Sequence, residues 1–103
     1  MLERDYQAQL IRKIRRSLPG CIILKNDTDY LQGIPDLLVL YEANWAALEV
    51  KPYGDAPNQP NQVYYVCEMN DMSFAAFIYP EIEEDVLYAL QQALRTDRSA
   101  RVS

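Results

Sequence analysis

The sequence predicts an α/β fold, a mixed central sheet flanked by helices in the order α-β-β-β-α-β-α, on three observations. Leu2, Tyr6, Leu10, Ile14 and Leu18 recur every four residues with Ile11 beside them, the spacing of one apolar stripe on a helix. Four short runs rich in apolar and β-branched residues follow, each bounded by Pro, Gly, Asn or Asp. Helical spacing returns between the third and fourth of these runs and again after the fourth, so helices and strands interleave and must share a core.

Taken in order, the first helix covers the four-residue stripe and stops at Pro19-Gly20, which cannot continue it. Residues 21–24, Cys-Ile-Ile-Leu, read as a first strand, and residues 25–29, Lys-Asn-Asp-Thr-Asp, have the composition of a loop. Residues 36–41 and 45–51 are two apolar runs separated by Glu42-Ala43-Asn44, the pattern of a hairpin. Residues 52–60 are rich in Pro, Gly, Asn and Asp and read as a loop, with Asn58 or Asn61 placed to cap the helix that follows. That second helix takes residues 62–69, with Val63, Val66, Cys67 and Asn70 at helical spacing. Residues 73–79 form a fourth strand closed by Pro80, and Ile82, Val86, Leu87, Ala89, Leu90 and Leu94 make the stripe of a third helix. Residues 1–95 thus make a single domain, and residues 96–103 a flexible polar tail.

A chain of 103 residues with 50% hydrophobic content has the size and apolar content of one domain with one core. The start of the chain is charged throughout, and no apolar run approaches the length that crosses a bilayer, so the expectation is a soluble cytoplasmic protein with no membrane association. Two cysteines, no CxxC pair and no histidine exclude a structural zinc site, and Cys21 and Cys67 read as reduced core thiols. The formal charge of −5 opposes non-specific binding to polyanions. Its distribution is uneven, however. Arg12, Lys13, Arg15 and Arg16 cluster early, Arg95, Arg98 and Arg101 late, and acids concentrate between residues 81 and 85. Carboxylates that hold a cation also count as negative only until it binds.

The informative charges lie on the hairpin. Asp36 begins one strand, while Glu49 and Lys51, two apart near the end of its partner, project to one face. Pairing through the 42–44 turn brings Asp36 beside both. Two carboxylates are hard oxygen ligands suited to Mg²⁺ or Mn²⁺, and an ammonium nearby can orient a water or stabilise developing charge, the requirements of phosphodiester hydrolysis. An exposed hairpin with alternating surface charges is the plainer reading of Glu49 and Lys51 alone.

Gly33-Ile34-Pro35-Asp36, then Glu49-Val50-Lys51, then Gln62 opening a helix, resembles the signature of the VRR-NUC branch of the PD-(D/E)xK nucleases, which is similar to Holliday-junction resolvases. The resemblance spans roughly residues 1–80 and implies a restriction-endonuclease-like core and an Mg²⁺- or Mn²⁺-dependent DNA endonuclease, structure-selective and phage-encoded in one expected setting. It implies Asp36 and Glu49 as metal ligands with the Val50 carbonyl, Lys51 as the catalytic lysine and Gln62 as the helix glutamine of the site, Gln59 competing for that place. It also implies a first-helix glutamate aimed at the metal, for which Glu3 is the candidate, although an acid in a first helical turn is favoured by the helix dipole regardless. Expected partners are DNA, a second copy of the chain that supplies surface a minimal core lacks, and a helicase or phage packaging machine in a bacterial or phage-infected cell. Tyr64, Tyr65, Phe74, Phe77, Tyr79 and Tyr88 are the aromatic candidates for a homodimer interface. The alternative is a non-catalytic nuclease-fold module that binds or assembles a DNA-processing complex.

Overall fold

The computed structural model describes residues 1–95; the tail expected over residues 96–103, with Arg98 and Arg101, lies outside the described residues. The four-residue stripe folds as helix α1 (Glu3–Ser17), which buries Tyr6, Leu10 and Ile14 on one face. Glu3 and Asp5 in its first turn and Arg15 and Arg16 in its last complement the helix dipole at both ends. Strands β1 (Ile22–Lys25), β2 (Leu37–Tyr41) and β3 (Asn44–Val50) follow, then α2 (Pro60–Met72), β4 (Phe74–Ile78), a single 3₁₀ turn (Pro80–Ile82) and α3 (Glu83–Leu94). The predicted order of elements is the observed one. Asp36 and Lys51 stand just outside the strand ends rather than within them.

The sheet runs β1-β2-β3-β4, antiparallel except for β4, which is parallel to β3 and reached through α2 as the crossover. Alternation of side chains divides the sheet cleanly into two faces. On one, Leu37, Val39, Ala46, Leu48, Val50 and Ile78 pack against Tyr6, Leu10 and Ile14 of α1 and Leu90 and Leu94 of α3. On the other, Ala47 and Ala75 meet Val66 of α2, with Leu38, Trp45, Met69 and Phe77 around them. The fold therefore has three layers. Asp36, Leu38, Ala47, Glu49 and Lys51 share the parity of the α2 face, so α2 is the element that closes over the charges.

Helix α2 presents a different side from the one its spacing suggested. Gln62, Tyr65, Val66 and Met69 face inward, whereas Val63 and Cys67 are exposed. The apolar residues of the helix are spread around its circumference, so periodicity singles out no face, and contact with Trp45, Ala47 and Phe77 chooses it. Cys67, expected in the core, is thus a surface thiol, and Cys21 is half-buried. Neither Asn58 nor Asn61 caps α2. Gln59 is the N-cap, in a reciprocal capping box with Gln62 and with Pro60 at the first helical position. Of the aromatic candidates for an interface, Phe74 and Phe77 pack on the two cores, while Tyr64 and Tyr88 are exposed.

Gly33 explains why Gly-Ile-Pro precedes the aspartate. Its φ is +90°, and a Cβ there would stand 2.3 Å from Asn61 Cβ and 2.8 Å from Asn61 C, so the loop lies flat against the first turn of α2. Gly20 also has a positive φ, +88°, but nothing lies within 4 Å of where its Cβ would be. The two positions separate steric contact from backbone strain. Gly20→Ala should cost about 1 kcal/mol of strain, whereas Gly33→Ala adds overlap with backbone and should cost roughly 3 kcal/mol. Thermal melts check this: the loss in Tm for Gly33→Ala should exceed that for Gly20→Ala by roughly 10 °C, and equal losses would contradict the packing of the loop on α2.

Candidate active site

The hairpin register creates the site. Tyr41 pairs with Asn44 and Leu37 with Leu48, leaving Glu42 and Ala43 as a two-residue turn in which Glu42 takes the left-handed φ of 54°. One step beyond Leu37 and Leu48, Asp36 comes to lie opposite Glu49 on the α2 face. Three contacts hold Asp36 there. Its Oδ2 accepts a hydrogen bond from Val50 N at 2.9 Å, its carbonyl accepts one from Asn26 N at 2.8 Å, and the side chain of Asn26 donates to the Pro35 carbonyl at 2.7 Å. Asn26 thereby extends the β1–β2 pairing past its last strand residue and fixes the peptide that carries Asp36.

Glu49 is 4% exposed, and its two oxygens have different surroundings. Oε2 accepts a hydrogen bond from Gln62 Nε2 at 3.1 Å, while the Gln62 Oε1 atom accepts one from Gln59 N at 3.0 Å. Gln62 therefore joins the start of α2 to the carboxylate. Oε1 of Glu49 is buried and receives no hydrogen bond from the protein. Burial raises the Glu49 pKa to about 8, helped by the charge of Asp36, a hydrogen bond to the Asp36 carboxyl and the charge of Glu3, with Lys51 opposing. Burial also raises Asp36, against the hydrogen bonds from Val50 and Glu49. Both shifts favour protonation, because two close carboxylates withdrawn from water repel each other when both are charged. A proton or a cation is what can satisfy Glu49 Oε1.

Both carboxyls line a cleft of about 440 Å³ whose walls are Glu3, the 28–34 loop and the start of α2 from Gln59 to Gln62. Glu3 reaches it from the first turn of α1, its pKa raised by partial burial and then by Asp36. Among the described residues no group of three or more His, Cys, Asp or Glu side chains is assembled closely enough to hold a metal. The donor set is therefore the Asp36–Glu49 pair, with Glu3 on the cleft wall and the Val50 backbone bordering the pair. That set fits Mg²⁺ or Mn²⁺, since Mg²⁺ is ordinarily held by one or two carboxylates, with water and substrate oxygens completing its shell. A larger hollow of about 740 Å³ separates α1 from α3, lined by Lys13, Ser17, Glu83, Leu87, Tyr88 and Gln91 among others. Lys13 and Glu83 pair with each other there, whereas the buried acidic pair belongs to the smaller cleft.

Lys51 is the residue whose setting differs most from expectation. It is 5% exposed, on the same face as Glu49, and its positive charge is felt by both Glu49 and Glu3. Its ammonium does not line the cleft. Nζ donates to the carbonyls of Ala56 at 2.7 Å and Pro57 at 2.9 Å and to Asn58 Oδ1, and it lies 5.6 Å from the centre of the Phe77 ring. Asn26, Asn58 and the cleft-lining Thr28, Asp29 and Gln32 were not singled out from the sequence as site residues. Asn26, Thr28 and Asp29 read only as loop composition and Asn58 as a cap candidate, because which backbone group an asparagine engages depends on a strand register that composition does not carry.

No protein-family model matches the sequence, and no curated protein is similar to it. A solved structure described as a VRR_NUC domain protein has the same fold, with a TM-score of 0.67 at 16% identity over 92% of this chain and 89% of that one. No helix among the described residues is long and apolar enough to cross a membrane.

The acidic pair gives a pH signature. Glu49 has a folded-state pKa of about 8, above its ordinary 4.5, so its contribution to stability is complete below about pH 4.5 and is lost as pH rises towards 8. Asp36 and Glu3, shifted the same way, add to the fall. In metal-free buffer the Tm of the wild type should decline between pH 5 and pH 8, and Glu49→Gln should flatten the decline. A wild-type Tm that is level across that window would contradict the raised pKa of Glu49.

Proposed function

We propose that this chain is a divalent-metal-dependent nuclease that hydrolyses phosphodiester bonds in DNA, with Asp36 and Glu49 holding Mg²⁺ or Mn²⁺. One observation carries the reading: a nearly fully buried glutamate faces an aspartate across a hairpin, with one oxygen that no protein donor serves. An acid pair of this kind destabilises a fold, and a cation that the two carboxylates share offsets the cost. When bound, the metal supplies charge neutralisation at the phosphate and a more acidic water. The protein's own part is to present the ligands. Val50 N–H and Asn26 fix Asp36, Gln62 fixes Glu49 from α2, and the N-terminus of α2 turns its positive dipole end towards the cleft where an anionic phosphate would enter. The fold shared with a VRR_NUC domain protein supports a nuclease architecture. The reading goes with a reducing cytoplasmic setting, in which free Cys21 and Cys67 are stable.

A second reading, a non-catalytic nuclease-fold module, is favoured by one observation. All three protons of the Lys51 ammonium are engaged by the 56–58 segment, as in a purely structural lysine. Variants separate the two. Asp36→Asn and Glu49→Gln should abolish Mg²⁺-dependent DNA cleavage and weaken Mn²⁺ binding measured by calorimetry, with the metal-free melting temperature retained or raised because the repulsive pair is relieved. Lys51→Ala should lower single-turnover cleavage roughly a hundredfold, the scale of one preorganised donor, while retaining Mn²⁺ affinity. Cleavage at the wild-type rate by Glu49→Gln would overturn the nuclease assignment, and Mn²⁺ binding without cleavage of any DNA by the wild type would favour the module.

A further inference from the structure

The three acceptors around Lys51 are not equivalent. Those from Ala56 and Pro57 are main-chain carbonyls of the segment that joins β3 to α2. This segment is fastened on its other side, where Gly54 N donates to Glu81 Oε2 at 2.9 Å and a Cβ on Gly54 would come within 3.0 Å of the Tyr79 ring. Moving either carbonyl off the ammonium requires moving the backbone of a segment that Gly54 fastens to Glu81. The third acceptor is the side-chain oxygen of Asn58, an exposed residue. Rotation about its side-chain torsions moves that oxygen into water without disturbing the backbone. The next residue, Gln59, lines the cleft that holds Asp36 and Glu49. Of the three positions on the ammonium, the one nearest in sequence to the cleft is thus also the one that can be vacated cheaply.

We infer that Asn58 Oδ1 is a placeholder on Lys51 for an anionic oxygen of the substrate backbone. The inference rests on the nuclease reading for the identity of the anion, a phosphodiester, but the site itself rests on the Lys51 contacts. Lys51 is held by the two carbonyls in both states, and only its third hydrogen bond changes partner, from a neutral amide oxygen to a phosphate oxygen. The exchange is favourable in sign, because an ionised acceptor makes the stronger bond to an ammonium. Asn58 is then a positioning and specificity residue: its amide is strong enough to hold the free ammonium in place and weak enough to yield to an anion. Aspartate at this position has nearly the same shape but a full charge, and would not yield.

The test measures binding rather than turnover. Affinity for a 5′-phosphorylated thymidine dinucleotide in Ca²⁺ buffer would be measured by calorimetry for the wild type, Asn58→Ala, Asn58→Asp, Lys51→Ala and the double variant Lys51→Ala with Asn58→Ala. Asn58→Ala should bind about threefold to tenfold more tightly, the net worth of the one hydrogen bond no longer in competition. Asn58→Asp should bind at least about tenfold more weakly, since a charged acceptor is roughly twice as hard to displace. Removing Asn58 in the Lys51→Ala background should change nothing, because the placeholder then has nothing to occupy. Equal binding by wild type, Asn58→Ala and Asn58→Asp, weaker binding by Asn58→Ala, or no dinucleotide binding by the wild type would each overturn the inference. The nuclease reading fails separately. If the wild type cleaves no DNA while the affinity order holds, the anion site stands without the activity; if DNA is cleaved and the order is absent, the activity stands without the placeholder.

Discussion

The β2–β3 register is the constraint on which the rest of this structure depends. A two-residue turn at Glu42 and Ala43 sets Leu37 against Leu48, and that single choice decides that Asp36 meets Glu49. A slip of one residue would turn one strand over relative to the other, sending its carboxylate to the face of α1 and α3, among Leu10, Ile14 and Leu90, and separating the pair. The turn reaches this register with a glutamate in left-handed backbone, a conformation that costs a non-glycine residue roughly 1 kcal/mol. The buried leucines and valines on one face outweigh that strain and hold the acids together on the other. The site is thus a by-product of hydrophobic registration, and the repulsion it contains is sustained by the core beneath it.

Helix α2 converts the paired acids into a cleft. Its buried residue, Val66, packs on Ala47 and Ala75 of the sheet, with Met69, Trp45 and Phe77 around the contact. Its first turn then comes level with the strand ends. Gln62 serves two functions there, completing the capping box with Gln59 and donating to Glu49. Asn61, its neighbour, fills the space that Gly33 leaves empty. The sequence features Gly33, Asp36, Glu49 and Gln62 are therefore coupled mechanically: each occupies its place because another has fixed a backbone or an oxygen beside it.

Much of this was legible in the chain. The stripe from Leu2 to Leu18, the two runs about residues 42–44 and the proline-rich break before α2 specify elements by period and punctuation, which are local properties. Parity alone placed Glu49 and Lys51 on one face, and a short turn placed Asp36 across from them. What stayed hidden is tertiary. The inward face of α2 is decided by Trp45, Ala47 and Phe77, so helical spacing alone points Cys67 inward, whereas it is exposed. The cap of α2 passed to Gln59 because Asn58 is engaged by a lysine seven residues earlier. Parity gives the face from which a side chain leaves, but Lys51 is long enough for its ammonium to end at a loop beyond the cleft, and no strand period reports that.

Charge is distributed along the molecule in a way that bears on the proposed activity. Helix α1 carries Glu3 at the cleft and Arg12, Arg15 and Arg16 towards its other end, roughly 14 to 20 Å away at the helical rise. The cleft wall bears Glu3, Asp29, Asp36 and Glu49 and no lysine or arginine. A polyanion approaching such a wall meets net repulsion, and nothing in the side chains that line it compensates a phosphate charge. For the proposed nuclease, a cation held by Asp36 and Glu49 would be a condition of substrate binding as well as of hydrolysis, while Lys51, on the same face as Glu49, keeps two of its hydrogen bonds on backbone and the third on an exposed amide. Under the proposed function the acidic balance of the chain, −5 overall, would not by itself oppose a nucleic-acid substrate, because affinity for it would be conditional on the metal.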